Sequence, residues 1–170
     1  MCERGSRDVV DLLAECHERI RGFVALAREA GSRIDAPVDQ VVRACAQVER
    51  YFVLALPLHV ADEEESIEPR LRGASPLVDR ALDVMADQHQ HHEPKLHALL
   101  RATAKVRSKP NDRVARRELV AAATVLGELL EEHLVLEEDV ILPAIRQHLP
   151  HTTQRAIVEE IRQRRLAEQA

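Results

Sequence analysis

Four stretches of this chain carry apolar residues at alternating spacings of three and four, and each stripe holds at least one histidine in step with the apolar residues. That spacing is the signature of one buried face of an α-helix. The first stripe runs from Val10 and Leu13 through His17 to Gly31 and Ile34, where Gly31 weakens the helix end. The second runs from Val38 through Cys45 and Phe52 to His59. The third runs from Val78 through Met85, His89 and His92 to Leu99, and the fourth from Leu119 through His133 and Glu137 to Ala144. Breaks separate them at Asp35-Ala36-Pro37, at Arg72-Gly73-Ala74-Ser75-Pro76 and at the SKPND segment, residues 108–112. These boundaries predict long helices over residues 8–34, 37–70, 76–108 and 112–148, kinked at Pro57 and Pro69 and distorted at Pro94 beside His89. A shorter, charged helix over residues 152–167 is expected to pack outside. The fold class is therefore all-α: an antiparallel up-down-up-down four-helix bundle over residues 8–148, with an accessory helix over residues 151–168. A coiled coil shares the periodicity, but the short connections favour an intramolecular bundle.

Composition points the same way. Aromatic residues make up only 2% of the 170, with 5 Gly and 8 Pro, which is too little for a many-turned β-sandwich. A net charge of -5 offers no basic footprint to nucleic acid. The longest apolar run, residues 53–58, is far too short to span a bilayer. The N-terminus, MCERGSRDVV, has no signal-like apolar run, so a cytoplasmic location is expected. Cys2, Cys16 and Cys45 form no CxxC pair; Cys45 falls on an apolar stripe as a small core residue.

A single histidine on an apolar stripe is ordinarily a hydrogen-bonded core residue. Four of them at one height are not. His17 and His59 stand 18 and 22 residues from the first break, His59 and His89 each 13 from the second, and His89 and His133 19 and 21 from the third. In antiparallel neighbours the worst mismatch, four residues, is about 6 Å. Four unpaired imidazoles buried in one layer are costly, and a metal ion satisfies them. Two of the helices add carboxylates in one form: His59-Val-Ala-Asp-Glu63-Glu64 and His133-Leu-Val-Leu-Glu137-Glu138, both H-x-x-x-E-E. Pro69 and Pro143 follow ten residues after each His. Residues i and i+4 share a helix face, so His59 with Glu63, and His133 with Glu137, can each grip one site. The chain is thus two helical hairpins of the form H…HxxxE. Four His and two Glu suit two metal ions bridged by carboxylates, with iron or manganese favoured over zinc. No Cys joins the set, against a structural zinc. Glu-x-x-His, the di-iron signature of ferritin-like bundles, is absent: Ala14, Leu56, Ala86 and Leu130 stand three residues before the four His.

The chain resembles the hemerythrin-like proteins, or HHE cation-binding domains. The residues that carry the likeness are His17 in ECHERI, His59-VAD-Glu63-ESIEP, His89, and His133-LVL-Glu137-EDVILP. The resemblance covers residues 8–148. It implies a four-helix bundle around two non-haem iron ions bridged by carboxylates and an oxo or hydroxo group. In the oxygen-carrying members a second His stands one turn after the third-helix His. Here Glu93 holds that position and His92 precedes it on the stripe, so His92 or Glu93 is the candidate for an additional ligand. An added carboxylate there favours the ferric state and peroxide or redox chemistry over oxygen carriage. The implied function is binding of, or reaction with, a small ligand such as O2, peroxide or nitric oxide, with catalase-like or nitric oxide-related turnover as the enzymatic form. Iron sensing or storage without turnover is the alternative. Neither nucleic acid nor membrane is expected as a partner. His91, His97, His148 and His151 receive no role, and Tyr51, two turns before His59, is read as a core aromatic.

Overall fold

The computed structural model describes residues 8–168, and Cys2 with the rest of residues 1–7 lies outside them. The described residues form helices and no strand, and none of these helices is long and apolar enough to cross a membrane. Helix α1 is Val9–Ser32. A second helical rod is built from α2 (Val38–Arg50), a π turn (Tyr51–Ala55), α3 (Leu56–Ala61), a second π turn (Asp62–Ile67) and α4 (Glu68–Leu71). Then follow α5 (Pro76–Ser108) and α6 (Arg113–Leu136), the latter continued by a π turn (Glu137–Ile141) and α7 (Leu142–His148). The last helix is α8 (His151–Ala167).

Local chemistry sets the ends. Asp8 caps α1 in a reciprocal capping box with Asp11, Ser75 accepts from the Val78 N–H at the start of α5, and Asp112 accepts from Val114 and Ala115 at the start of α6. Between α4 and α5 the chain turns at Gly73, with φ of 87°, a left-handed conformation that favours glycine. The four rods pack in a ring, α1 against α2 and α6, and α5 against α2 and α6. Ile34 and Val38, the stripe residues flanking the first connection, end up exposed, because α1 stops at Ser32 and the chain turns away from the core there.

Pro57, Pro69 and Pro143 each stand two residues beyond the end of a π turn. A proline ring lacks an N–H and pushes away the carbonyl four residues back. The helix responds by widening: Leu56, Glu68 and Leu142 donate five residues back, to Tyr51, Glu63 and Glu137. Pro94 behaves otherwise. The sequence predicts a distorted turn there, yet α5 stays α-helical from Pro76 to Ser108. Residues 90, 91, 93 and 94 are exposed, so water can solvate the carbonyl that Pro94 leaves free. The charged last helix is not simply external either. Ile157, Val158 and Ile161 of α8 are buried against Val9, Leu13 and Ile145 in one core cluster.

The apolar core is divided in two. One cluster gathers around Ile20, Phe52, Leu99, Leu119, Leu126 and Leu130; the other gathers around Leu13, Ile67, Met85, Ile141 and Ile157. His17, His59, His89 and His133 each lie, along their own helix, between a residue of one cluster and a residue of the other. Close approach of α1 and α6 depends on Gly31, where an added Cβ would stand 2.7 Å from the Arg116 carbonyl oxygen and 2.6 Å from Val120 Cγ2. Gly22, on the same helix, has nothing within 4 Å. Gly31→Ala is therefore expected to destabilise the chain by about 1–3 kcal/mol through forced backbone separation. Gly22→Ala should stabilise it by up to about 1 kcal/mol through helix propensity. Urea denaturation of the two variants checks both signs.

Candidate metal centre

Each histidine of the buried layer faces a carboxylate. His59 on α3 and Glu63 at the start of the second π turn are four residues apart, with Nε2 2.8 Å from Oε1. His133 on α6 and Glu137 stand in the same relation, with Nε2 2.5 Å from Oε1. The other oxygen of each carboxylate reaches across the bundle: Glu63 Oε2 is 3.2 Å from His89 Nε2, and Glu137 Oε2 is 2.9 Å from His17 Nε2. Two groups result, His17, His59, Glu63 and Glu137 in one, and Glu63, His89, His133 and Glu137 in the other. Within each group the donor atoms lie within 4.8 Å of one another. Glu63 and Glu137 belong to both, and each turns one oxygen toward each group.

These short distances are not all hydrogen bonds. His59 Nε2, His89 Nε2, both Glu63 oxygens and Glu137 Oε1 are buried and have no hydrogen-bond partner. Such orphaned donors and acceptors are costly unless something else satisfies them. Atoms 2.5–3.2 Å apart that aim past one another share a target between them, which is how ligands around a cation are arranged. The donor set, imidazole nitrogen with carboxylate oxygen and no thiolate, fits iron or manganese.

The outward faces of the rings are also held. His17 Nδ1 lies 2.9 Å from Glu138 Oε1, His89 Nδ1 2.9 Å from Glu64 Oε1, and His133 Nδ1 2.9 Å from Gln88 Oε1. Carboxylate acceptors at Nδ1 fix the ring with Nε2 turned inward. Sequence reasoning gave no role to Glu64, Glu138 or Gln88. The doubled Glu in both HxxxEE copies was the available signal for the first two, and Gln88 carried none.

Neither candidate for an additional ligand belongs to these groups: His92 is buried with its ring edge-on to His133, centroids 5.2 Å apart, and Glu93 is exposed. His91, His97, His148 and His151 are exposed. Tyr51 stacks on Phe23, centroids 4.0 Å apart, and belongs to neither group.

Electrostatics match the geometry. Burial opposes the charged form of His59, but the Glu63 carboxylate outweighs it and raises the imidazole well above its ordinary value. His17 and His89 are raised in the same way, against burial, by Glu137 and Glu63. Glu63 is held well below the carboxylate range, against burial, chiefly by His59. His92, with no carboxylate facing it, is pushed down to about 4 by burial and by His133 and His89, so its ring stays neutral at pH 7.

A helical bundle with two histidine–glutamate groups sharing both carboxylates defines a cation-binding protein of the four-helix type. The chain matches the family model of the hemerythrin HHE cation-binding domain over residues 8–145, and it belongs to that family. No curated protein matches it.

Without metal, the raised imidazoles contribute stability that is complete below their ordinary 6.5 and is lost as pH rises through the raised values. Glu63 contributes stability that is present above its ordinary 4.5 and is lost as pH falls. The metal-free chain is thus expected to be most stable in the window from 4.5 to 6.5, with Tm falling as pH rises above 6.5. Added metal, which needs deprotonated imidazoles, should raise Tm more at pH 8 than at pH 6. Thermal melts with and without metal at both pH values check this.

Proposed function

We propose that the chain is an up-down-up-down bundle, residues 8–148 with residues 151–168 as an accessory helix, that holds two non-haem iron ions and handles a small ligand such as O2, peroxide or nitric oxide. One ion is assigned to His17 and His59, the other to His89 and His133 with His92 beside them, and Glu63 and Glu137 serve both. The observation that carries this reading is the sharing itself: each carboxylate turns one oxygen to each group, and five of the atoms facing the shared space, His59 Nε2, His89 Nε2, both Glu63 oxygens and Glu137 Oε1, are buried without hydrogen-bond partners. Bound iron supplies one-electron chemistry and vacant coordination positions for a diatomic or peroxide ligand.

The protein's own contribution is enclosure and orientation. His17, His59, Glu63 and Glu137 are each at most 3% exposed, so the space between them excludes bulk water. The π turns that follow Glu63 and Glu137 commit each carbonyl to a donor five residues on, fixing the backbone that aims the carboxylates. His92, neutral at pH 7, offers a further imidazole on one side only.

A second reading, iron sensing without turnover, has one observation in its favour. Asp62, beside Glu63, is fully buried under a pair of guanidinium groups from α8, Arg164 at 2.8 Å and Arg165 at 2.5 Å. Filling or emptying the centre at Glu63 would be felt by that helix.

Elemental analysis of protein purified from iron-replete cells is expected to give close to two irons per chain. His59→Ala and His133→Ala should each lose metal, while His91→Ala and His148→Ala keep it. Full occupancy in His133→Ala would refute the ligand assignment. Sustained peroxide decomposition by the loaded protein supports turnover, and its absence, with loss of protease resistance in α8 on iron removal, supports sensing.

A further inference from the structure

The two histidines that face a ligand carboxylate from the opposite hairpin, His17 and His89, are the two whose outer nitrogen meets a glutamate. In both, that glutamate is the second of an HxxxEE copy, so each π turn delivers two carboxylates in succession. Glu63 and Glu137 point inward between the rings, while Glu64 and Glu138 stand behind the ring that their neighbour faces. The two hairpins buttress each other in this way. The arrangement is symmetric in position but not in charge. Glu138 is gripped by Arg21 through both oxygens, Nη1 to Oε1 at 2.8 Å and Nη2 to Oε2 at 3.1 Å, and Arg21 also holds Glu131. Among the described residues no Lys or Arg pairs with Glu64.

We propose that Glu64 and Glu138 are positioning residues that hold the Nε2 atoms of His89 and His17 toward the centre, and that Arg21, which grips Glu138 while no guanidinium or ammonium among the described residues pairs with Glu64, makes the two metal positions unequal. An anionic acceptor at Nδ1 makes the opposite nitrogen a stronger donor to a cation. Glu64, with no cation paired to it among the described residues, turns its Oε1 to His89 alone. Glu138 offers His17 an oxygen, Oε1, that also accepts from Arg21, a guanidinium shared with Glu131 and Glu18. The position served by His89 and His133, which also has His92 beside it, is therefore the tighter and the more stabilising toward a trivalent ion. The position served by His17 and His59 is the weaker one, and it empties and reduces first. Neutral partners elsewhere do not cancel the difference: His133 leans on the Gln88 amide, and His59 Nδ1 has no hydrogen-bond partner.

The inference rests on the proposed two-metal reading, and its test separates the two. Metal-free full-length chain is titrated with Co2+ alone at pH 8, followed by the visible absorption of the bound ion, and each variant's fold is checked by circular dichroism before metal is added. The wild type is expected to take up two equivalents in two resolved steps. Glu64→Gln, which keeps the acceptor and removes the charge, should weaken the tighter step about tenfold and bring the steps together, and Glu64→Ala should weaken it further. Glu138→Gln should have a smaller effect, because the oxygen that faces His17 is already shared with Arg21. Arg21→Gln should tighten the weaker step. The iron-loaded Glu64→Gln protein should also show a raised midpoint potential, which a role confined to packing would not produce. Isotherms of Glu64→Gln, Glu64→Ala and Arg21→Gln within twofold of wild type, or altered melting with unaltered isotherms, overturn this inference and leave the two-metal reading standing. A wild type that takes up no Co2+ overturns both.

Discussion

The bundle is organised by a contact that apolar packing alone would never select: two buried carboxylates, each spanning two imidazoles from different helices. A carboxylate taken out of water is costly by several kcal/mol unless compensated. Glu63 and Glu137 are each 1% exposed, so the layer exists only because positive charge, from protonated rings or from a cation, is always at hand. That requirement fixes the relative height of all four rods. It also explains why the apolar core is interrupted in the middle, with a cluster on either side of the polar layer.

Proline and carboxylate cooperate in this layer. Pro69 and Pro143 each stand six residues after a group-sharing glutamate. The widened turn that each proline demands begins within a residue of that glutamate, whose carbonyl accepts the long-range bond. A helix kept strictly α-helical would present Glu63 and Glu64 to fixed directions a hundred degrees apart. The π turn relaxes that constraint, so one glutamate faces inward and the next reaches round to the back of a neighbouring ring.

Much of this was legible in the sequence because it rests on periodicity. The positions of His17, His59, His89 and His133, their common height and the pairing with Glu63 and Glu137 follow from counting residues along helices. The family resemblance drawn from those motifs agrees with the match over residues 8–145. What could not be counted was context. Pro94 resembles Pro69 in the sequence, but it sits on a solvated face and leaves α5 regular. Counting residues could not foresee that His92 is buried beside His133 while Glu93 is exposed, because both follow His89 by about one turn. The last helix reads as charged and peripheral, yet three apolar residues, Ile157, Val158 and Ile161, are enough to seat it in the core. Glu138 looks like an ordinary surface acid until Arg21 and His17, more than a hundred residues away in sequence, are placed beside it.

The seat of that last helix bears on timing. Its arginines close over Asp62, and Arg70 on α4 holds Glu160 from the other side, so the turn bearing Glu63 is strapped by ion pairs at both ends. Opening that turn requires several guanidinium–carboxylate contacts to break together. Ion exchange at the proposed centre would then follow the slow detachment of a terminal helix rather than the intrinsic lability of the ligands. Salt screens the half-exposed Arg70–Glu160 pair but hardly reaches Asp62, so raising ionic strength would loosen only one end of that strap.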